Sequence, residues 1–208
     1  MYRLFKGADW LFFDIGSTLV DESEAYTRRL REAIRHTDIT YEQISGKAEE
    51  FYRENKKGDL EALAFFGLAK PPWYKEEERL YPDTAAVLEN LHKRYKIGVI
   101  ANQSAGSVER LHGFGIGGLI DLVIASAEEG MAKPDPRIFR LALERAHCPP
   151  ERAVMIGDRL DNDIYPAKAL GMKTVWVKQG FARFSSPSTA EYTADFTAES
   201  LTELLALE

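Results

Sequence analysis

Four residues of this chain are of the types that handle phosphate and divalent cations, and each falls where an apolar run stops. Asp14 follows Trp10-Leu11-Phe12-Phe13, Asn102 follows Val99-Ile100-Ala101, and Asp158 follows Val154-Met155-Ile156-Gly157. Lys133 comes shortly after the run that ends at Ile124, at the head of the next helical stretch. Taken singly, each is equally well explained as a helix N-cap or a turn former. Taken together, they describe a chemistry. Two carboxylates brought to one place raise each other's pKa unless a cation separates them. A hard cation with oxygen ligands, Mg²⁺, resolves that repulsion and draws a phosphate to the site. Lys133 adds a point charge for a phosphate oxygen or a nucleophile. Asn102 adds amide donors, and the N–H groups of the turn after Asp14, at Ile15 and Gly16, add more. Such a set suits a charge-rich phosphoryl group in transfer.

These residues converge only if the elements that carry them lie side by side. The first run, residues 9–14, is too continuously apolar for a half-exposed strand and reads as a buried parallel strand ended by Gly16-Ser17. From residue 82 onward helices and strands alternate. Helices are expected over 83–94, 104–112, 136–146 and 162–170, and strands over 97–100, 119–124, 153–156 and 173–177. A Ser/Thr-rich stretch, 181–194, reads as a surface loop before a closing helix over 199–207. This alternation implies an α/β, Rossmann-like parallel sheet with right-handed crossovers and helices on both faces. In such sheets ligands bind at the carboxyl ends of the strands, at the point where strand order reverses.

Residues 21–81 have a different character. Tyr26, Leu30, Ala33 and Ile34 recur at helical spacing, as do Ile44, Ala48, Phe51 and Tyr52, and Pro71-Pro72 closes the stretch. The reading is one α/β core, residues 1–20 and 82–208, interrupted by an inserted helical domain, 21–81.

The 208 residues carry 27 Lys and Arg against 33 Asp and Glu, a net charge of −6 with both signs interspersed. This argues against a general nucleic-acid binder or a polybasic membrane anchor. No apolar run approaches the roughly 20 residues that span a bilayer, and Asp14 interrupts the first one too early for a signal peptide. A soluble, cytoplasmic protein is expected, acting as a monomer or homodimer on a small molecule. The single cysteine, Cys148, can form neither an internal disulfide nor a thiolate cluster. The histidines, His36, His92, His112 and His147, lack ligand spacing.

Four segments together resemble motifs of the haloacid dehalogenase (HAD) superfamily: Leu11-Phe12-Phe13-Asp14-Ile15-Gly16-Ser17-Thr18-Leu19-Val20, Val99-Ile100-Ala101-Asn102, Lys133-Pro134-Asp135-Pro136 and Ile156-Gly157-Asp158-Arg159-Leu160-Asp161-Asn162-Asp163. The likeness runs through the whole chain, in motif order and with the helical insert after the first. It implies a phosphatase-like hydrolase of the subfamily with a helical (C1) cap, acting on a phosphorylated metabolite through an aspartyl-phosphate with Mg²⁺. Carried over by position, Asp14 is the nucleophile. Asp14, the Gly16 carbonyl and Asp158 hold the metal, and Asp163 orients from behind. Lys133 pairs with Asp14 and the phosphate, which Asn102 and the Ile15 and Gly16 N–H groups also bind.

Two positions depart from the pattern. Phosphatases of the family carry a second Asp two residues after the nucleophile, as general acid and base, where this chain has Gly16. General acid–base help is worth about 10²–10⁴ in rate, so the resemblance implies weakened phosphatase activity. Ala101 stands where Ser or Thr is usual, and Ser17, Gln103 and Ser104 are the nearby replacements. The alternative is a chain that keeps the fold and metal site to bind a phosphorylated ligand or partner without catalysis. A minor reading is phosphonate hydrolysis, which needs a cap lysine; Lys47, Lys56, Lys57 and Lys70 are available, although a lysine on a helix surface is most often only solvated. Trp73 and Tyr74 are candidates to face the cleft or a partner, and Asp161 is expected to cap the following helix, with contact to a metal-bound water as the alternative.

Overall fold

The computed structural model describes residues 3–208. In chain order its strands and α-helices are β1 (Trp10–Phe13), β2 (Val20–Asp21), α1 (Ser23–Ile34), α2 (Tyr41–Arg53), α3 (Gly58–Phe65), β3 (Arg79–Leu80), α4 (Thr84–Leu91), β4 (Lys96–Ala101), α5 (Ser107–Gly113), β5 (Leu122–Ala125), α6 (Ser126–Glu129), α7 (Pro136–Arg145), β6 (Ala153–Gly157), α8 (Tyr165–Ala169), β7 (Lys173–Val177) and β8 (Phe196–Ala198). Six strands form one parallel sheet in the order β5-β4-β1-β6-β7-β8. The chain builds outward from β1 in one direction, then crosses to its other side at β6. The end of β1 is therefore the switch point.

Period-two alternation gives each face of the sheet its own core. Leu11, Phe13, Val99, Val154 and Ile156 pack with Leu88, Leu91, Leu111 and Leu204 on one face. Phe12, Ile100 and Met155 pack with Ile138, Phe139 and Ala142 of α7 on the other. Helices therefore cover both faces, and the strands read as nearly unbroken apolar runs for that reason. Gly98 pairs with Phe12 across β1 and β4. A Cβ at Gly98 would stand 2.4 Å from the Phe12 ring, so the glycine makes room for it.

The helices α1–α3 have a separate small core of Leu30, Ile44, Ala48, Ala62 and Leu63. Thr40 and Gln43 form a reciprocal capping box at the start of α2. The chain leaves the sheet through β2 and returns through β3, and these two zip into an antiparallel ribbon, Val20 opposite Leu80 and Asp21 opposite Arg79.

Several expected elements differ in the structure. The strand expected over 119–124 starts at Leu122, because the Asp121 carboxylate turns back to accept the Ile97 N–H at 2.9 Å and the Lys96 ammonium at 2.7 Å. The helix expected from 104 begins at Ser107, after Gly106 in a left-handed conformation whose N–H donates to Glu128. The helix expected over 162–170 is a π-turn, Leu160–Ile164, followed by the short α8. The closing helix is a 3₁₀ stretch, Leu201–Leu207. The stretch 181–194 is not simply a surface loop. Phe181 stacks on Tyr52 and meets Tyr26 edge-on, and the buried Ser185 hydroxyl donates to the Tyr52 carbonyl at 2.9 Å. Its Ser/Thr content concealed one aromatic anchor. No helix among the described residues is long and apolar enough to cross a membrane.

Candidate active site

Parallel register puts Phe13 beside both Val99 and Ile156, so the residues that follow these strands share one edge of the sheet. Asp14, Asp158 and Asp163 each offer a carboxylate oxygen within 4.8 Å of the others'. Lys133 Nζ donates to Oδ1 of Asp14 and to Oδ1 of Asp163, at 2.6 Å each, with its side chain almost wholly buried. Asp163 also accepts the Arg159 N–H at 3.0 Å. The π-turn widens the backbone there, with the Asp163 and Ile164 N–H groups both returning to the Arg159 carbonyl.

One lysine cannot neutralise three carboxylates. Burial and the neighbouring Asp163 and Asp14 hold Asp158 well above the usual carboxylate range. Burial lifts Asp163 to about 6, against the opposing pull of Lys133. Burial alone would lower the Lys133 pKa, but Asp14 and Asp163 hold it above the ordinary lysine value. A cluster of three oxygen donors whose negative charge one lysine does not balance is the donor set that a hard divalent cation fits.

Beyond Asp14 the chain turns tightly. The Leu19 and Val20 N–H groups both return to the Ile15 carbonyl at 2.9 Å, and Ser17 takes a left-handed φ of 55°. The Ile15 and Gly16 N–H groups find no acceptor among the described residues, and the Gly16 carbonyl accepts no backbone hydrogen bond. Two free donors and a free carbonyl therefore lie next to Asp14. Asn102 is placed differently from a simple phosphate donor. Its Oδ1 accepts the Lys133 N–H at 2.7 Å and its Nδ2 donates to the Lys133 carbonyl at 2.8 Å, which clamps the lysine loop and leaves one amide N–H for the cavity.

A sequence profile of haloacid dehalogenase-like hydrolases matches residues 8–171. The chain belongs to this family. It is similar to the glyceraldehyde 3-phosphate phosphatase of Pyrococcus furiosus, at 32% identity with 94% of this chain and 90% of the relative aligned. It is also similar to the phosphoserine phosphatase of Thermus thermophilus, at 29% identity over 87% of this chain and 64% of the relative. The magnesium-bound HAD-hydrolase YfnB of Bacillus subtilis shares the fold, with a TM-score of 0.73 at 20% identity over 97% of this chain and 99% of that one. Membership in this hydrolase family makes the chain an enzyme, and the reading as a non-catalytic binder is set aside.

The site of this HAD hydrolase opens into a cavity of ≈ 580 Å³ whose far wall comes from the helical segment. Tyr26, Tyr52 and Trp73 line that wall, together with a buried ion pair, Arg29 to Asp59 at 2.8 Å. Tyr26 meets Trp73 edge-on at 4.9 Å, and the Arg29 guanidinium lies 4.4 Å over the Trp73 ring. Trp73 thus faces the cleft as expected, whereas Tyr74 takes the Arg28 guanidinium at 4.0 Å outside it. Lys57 and Lys70 line the cavity and have no ion-pair partner among the described residues, while Lys47 and Lys56 pair with Glu50 and Glu54. Ser17, Gln103 and Ser104 all line it too; the Gln103 side-chain Oε1 accepts from Arg110 at 2.6 Å, and Ser104 Oγ accepts from Lys75 at 2.8 Å. Asp161 does not cap its helix. Its carboxylate takes the Arg159 guanidinium, Nε to Oδ1 at 2.9 Å. Cys148 is buried, which pushes its thiol up to about 11 and makes it inert.

Glu22 is the cavity residue that the motifs missed. Burial, then Asp14 and Glu78, push its carboxyl group up to about 8. A Cβ built on Gly16 would stand 2.6 Å from Glu22 Oε2 and 2.7 Å from Oε1. The sequence carried a weak signal for this: an acid six positions past an exceptional glycine, after a short β-branched return.

Proposed function

We propose that the chain is a Mg²⁺-dependent phosphomonoesterase for small phosphorylated metabolites, with Asp14 as nucleophile and residues 21–81 as a cap over a core of residues 1–20 and 82–208. The observation that carries this reading is the approach of the Asp14, Asp158 and Asp163 carboxylates to within 4.8 Å around a buried lysine. Asp14, the Gly16 carbonyl and Asp158 would hold Mg²⁺, with Asp163 steadying the set. When bound, the ion supplies positive charge to the phosphoryl oxygens and relieves the repulsion among the acids.

The chain's own groups do the rest. Lys133 orients one Asp14 oxygen and leaves the other for attack on phosphorus. The Ile15 and Gly16 N–H groups and the remaining Asn102 N–H receive the phosphoryl oxygens. The aromatic wall excludes water around the leaving group. Lys57 and Lys70, which line the cavity without an ion-pair partner among the described residues, favour a substrate with a second anionic or polar end. The named activities of the relatives from Pyrococcus and Thermus support three-carbon phosphates as first candidates. A cytoplasmic location fits such substrates.

The test is turnover of p-nitrophenyl phosphate, acetyl phosphate, glyceraldehyde 3-phosphate and phosphoserine with Mg²⁺, beside the Asp14→Asn variant. Mg²⁺-dependent release of phosphate by the wild type and none by the variant is the expected result. Equal turnover in both proteins removes Asp14 as nucleophile.

A further inference from the structure

Breaking a phosphate ester of an aliphatic alcohol leaves an alkoxide that needs a proton as it departs, and a positioned acid supplies it. Four of the acids around the cavity are already engaged. Asp14 and Asp163 hold Lys133, Asp158 stands in the cation cluster, and Asp59 is paired with Arg29. Asp161, just outside, holds Arg159. Glu22 differs from Asp14, Asp163, Asp59 and Asp161 in having no close basic partner, and from Asp158 in standing outside the carboxylate cluster. It lines the cavity and is only 8% exposed, and its carboxyl group makes no hydrogen bond among the described residues. Its nearest cation, Arg110 Nη2, is 4.0 Å away and stands closer, at 2.7 Å, to Glu78. Glu78 is further held by the Trp73 indole N–H at 2.7 Å. Buried in the cavity wall, the Glu22 carboxyl group is thus left without a close partner among the described residues.

Where it stands matters more. The space that a side chain at residue 16 would enter, beside the nucleophile's own turn, contains both Glu22 oxygens. Gly16 and Glu22 are brought together by the bridge between Gly16 and Val20, which folds the chain back just before α1. A side chain at residue 16 and the Glu22 carboxyl group would compete for one space, which the glycine leaves to the glutamate.

We propose that Glu22 is the proton-transfer residue of this enzyme, reaching the reacting centre through the space left by Gly16. This deepens the proposed function and rests on it. In the first step an Asp14 oxygen forms a bond to phosphorus, the bond from phosphorus to the alcohol oxygen breaks, and that oxygen takes the Glu22 proton. In the second step water attacks the aspartyl-phosphate and gives a proton to the Glu22 carboxylate. Phosphate leaves, and both carboxyl groups return to their starting states.

The experiment compares kcat/KM of wild type and Glu22→Gln on glyceraldehyde 3-phosphate and on p-nitrophenyl phosphate, whose phenolate leaves without a proton. The expected loss is about 10²–10⁴-fold on the alkyl ester and less than about tenfold on the aryl ester, with kcat lowered on both because the second step loses its base. Equal losses in kcat/KM on the two esters, no loss on either, or wild-type turnover of the aryl ester alone would each overturn the assignment. Should Glu22→Gln fail to fold, the exchange variant Gly16→Asp/Glu22→Ser carries the test. It should turn over the alkyl ester at least about tenfold faster than Glu22→Ser, and a folded exchange variant with no such gain refutes the proposal. Asp14→Asn separates the two levels. Turnover by that variant overturns the underlying mechanism, whereas its inactivity beside full alkyl turnover in Glu22→Gln overturns the role of Glu22 alone.

Discussion

On the sheet side of the cavity, Asp14, Asn102 and Asp158 leave three neighbouring parallel strands, so the ladder between β4, β1 and β6 sets their spacing. On the helical side, Tyr26, Tyr52 and Trp73 are held by ring contacts, a single buried ion pair and Phe181, which reaches across from the loop after β7. The first wall is a backbone construction, in which the strand ladder places Asp14, Asn102 and Asp158 side by side. The second is a side-chain construction around a small separate core. The contrast separates two constructions: the charged groups stand at the strand ends, while the facing wall rests on contacts that single substitutions can change.

The account predicts that changes to the two walls produce different kinds of failure. The largest effect is expected from Asp14→Asn, which should lower kcat/KM by at least about 10⁴-fold with little change in melting temperature. A variant keeping a tenth of wild-type activity would break the comparison at its strongest point. Next is Arg29→Leu on the helical side, which leaves Asp59 buried with only the Tyr52 hydroxyl at 3.5 Å and no compensating charge, and should reduce unfolding free energy by about 3–5 kcal/mol. The double variant Arg29→Leu/Asp59→Leu should recover most of that in a denaturant titration. A loss below about 1 kcal/mol in the single variant would show that the pair does not hold the wall.

Mg²⁺ gives a smaller effect that sharpens the contrast. At about a hundred times its Kd it should stabilise the protein by about 2.7 kcal/mol, read as a rise in melting temperature that EDTA reverses. Asp158→Asn should remove most of this shift and Arg29→Leu should not. An equal shift in Asp158→Asn would move the ion away from the sheet edge. Smallest is Trp73→Phe, which deletes the indole donor to Glu78 and should cost about 1 kcal/mol. It should alter KM several-fold with kcat within about twofold, and the reverse pattern would place Trp73 with the reacting groups.

The sheet side was legible in the sequence because each of its acids ends an apolar run. Runs buried on both faces locate the strands, and the switch-point rule locates their ends. Asp14 and Asp158 at the strand ends, and Lys133 beyond the third strand, could therefore be named from the residues alone, whereas Asp163 was named only through the resemblance of the fourth motif. The α/β fold was legible for the same reason. What escaped depends on contacts without periodicity. Glu22 reaches Gly16 through one isolated bridge, Phe181 sits in a polar stretch, and Asn102 serves the Lys133 backbone. Asp161 looked like a cap because its type favours that role, but the Arg159 fork two residues away claims its carboxylate first.

The central claim is that Asp14 becomes phosphorylated at the edge where Asp158 stands beside it. The direct measurement is an acid quench of the enzyme during turnover of ³²P-labelled acetyl phosphate with Mg²⁺, followed by hydroxylamine treatment and peptide mapping. The account predicts hydroxylamine-labile label on the peptide containing Asp14, absent when EDTA is present and absent in Asp14→Asn. Steady turnover with no label on that peptide in Glu22→Gln, where slowed hydrolysis should let it accumulate, would contradict it.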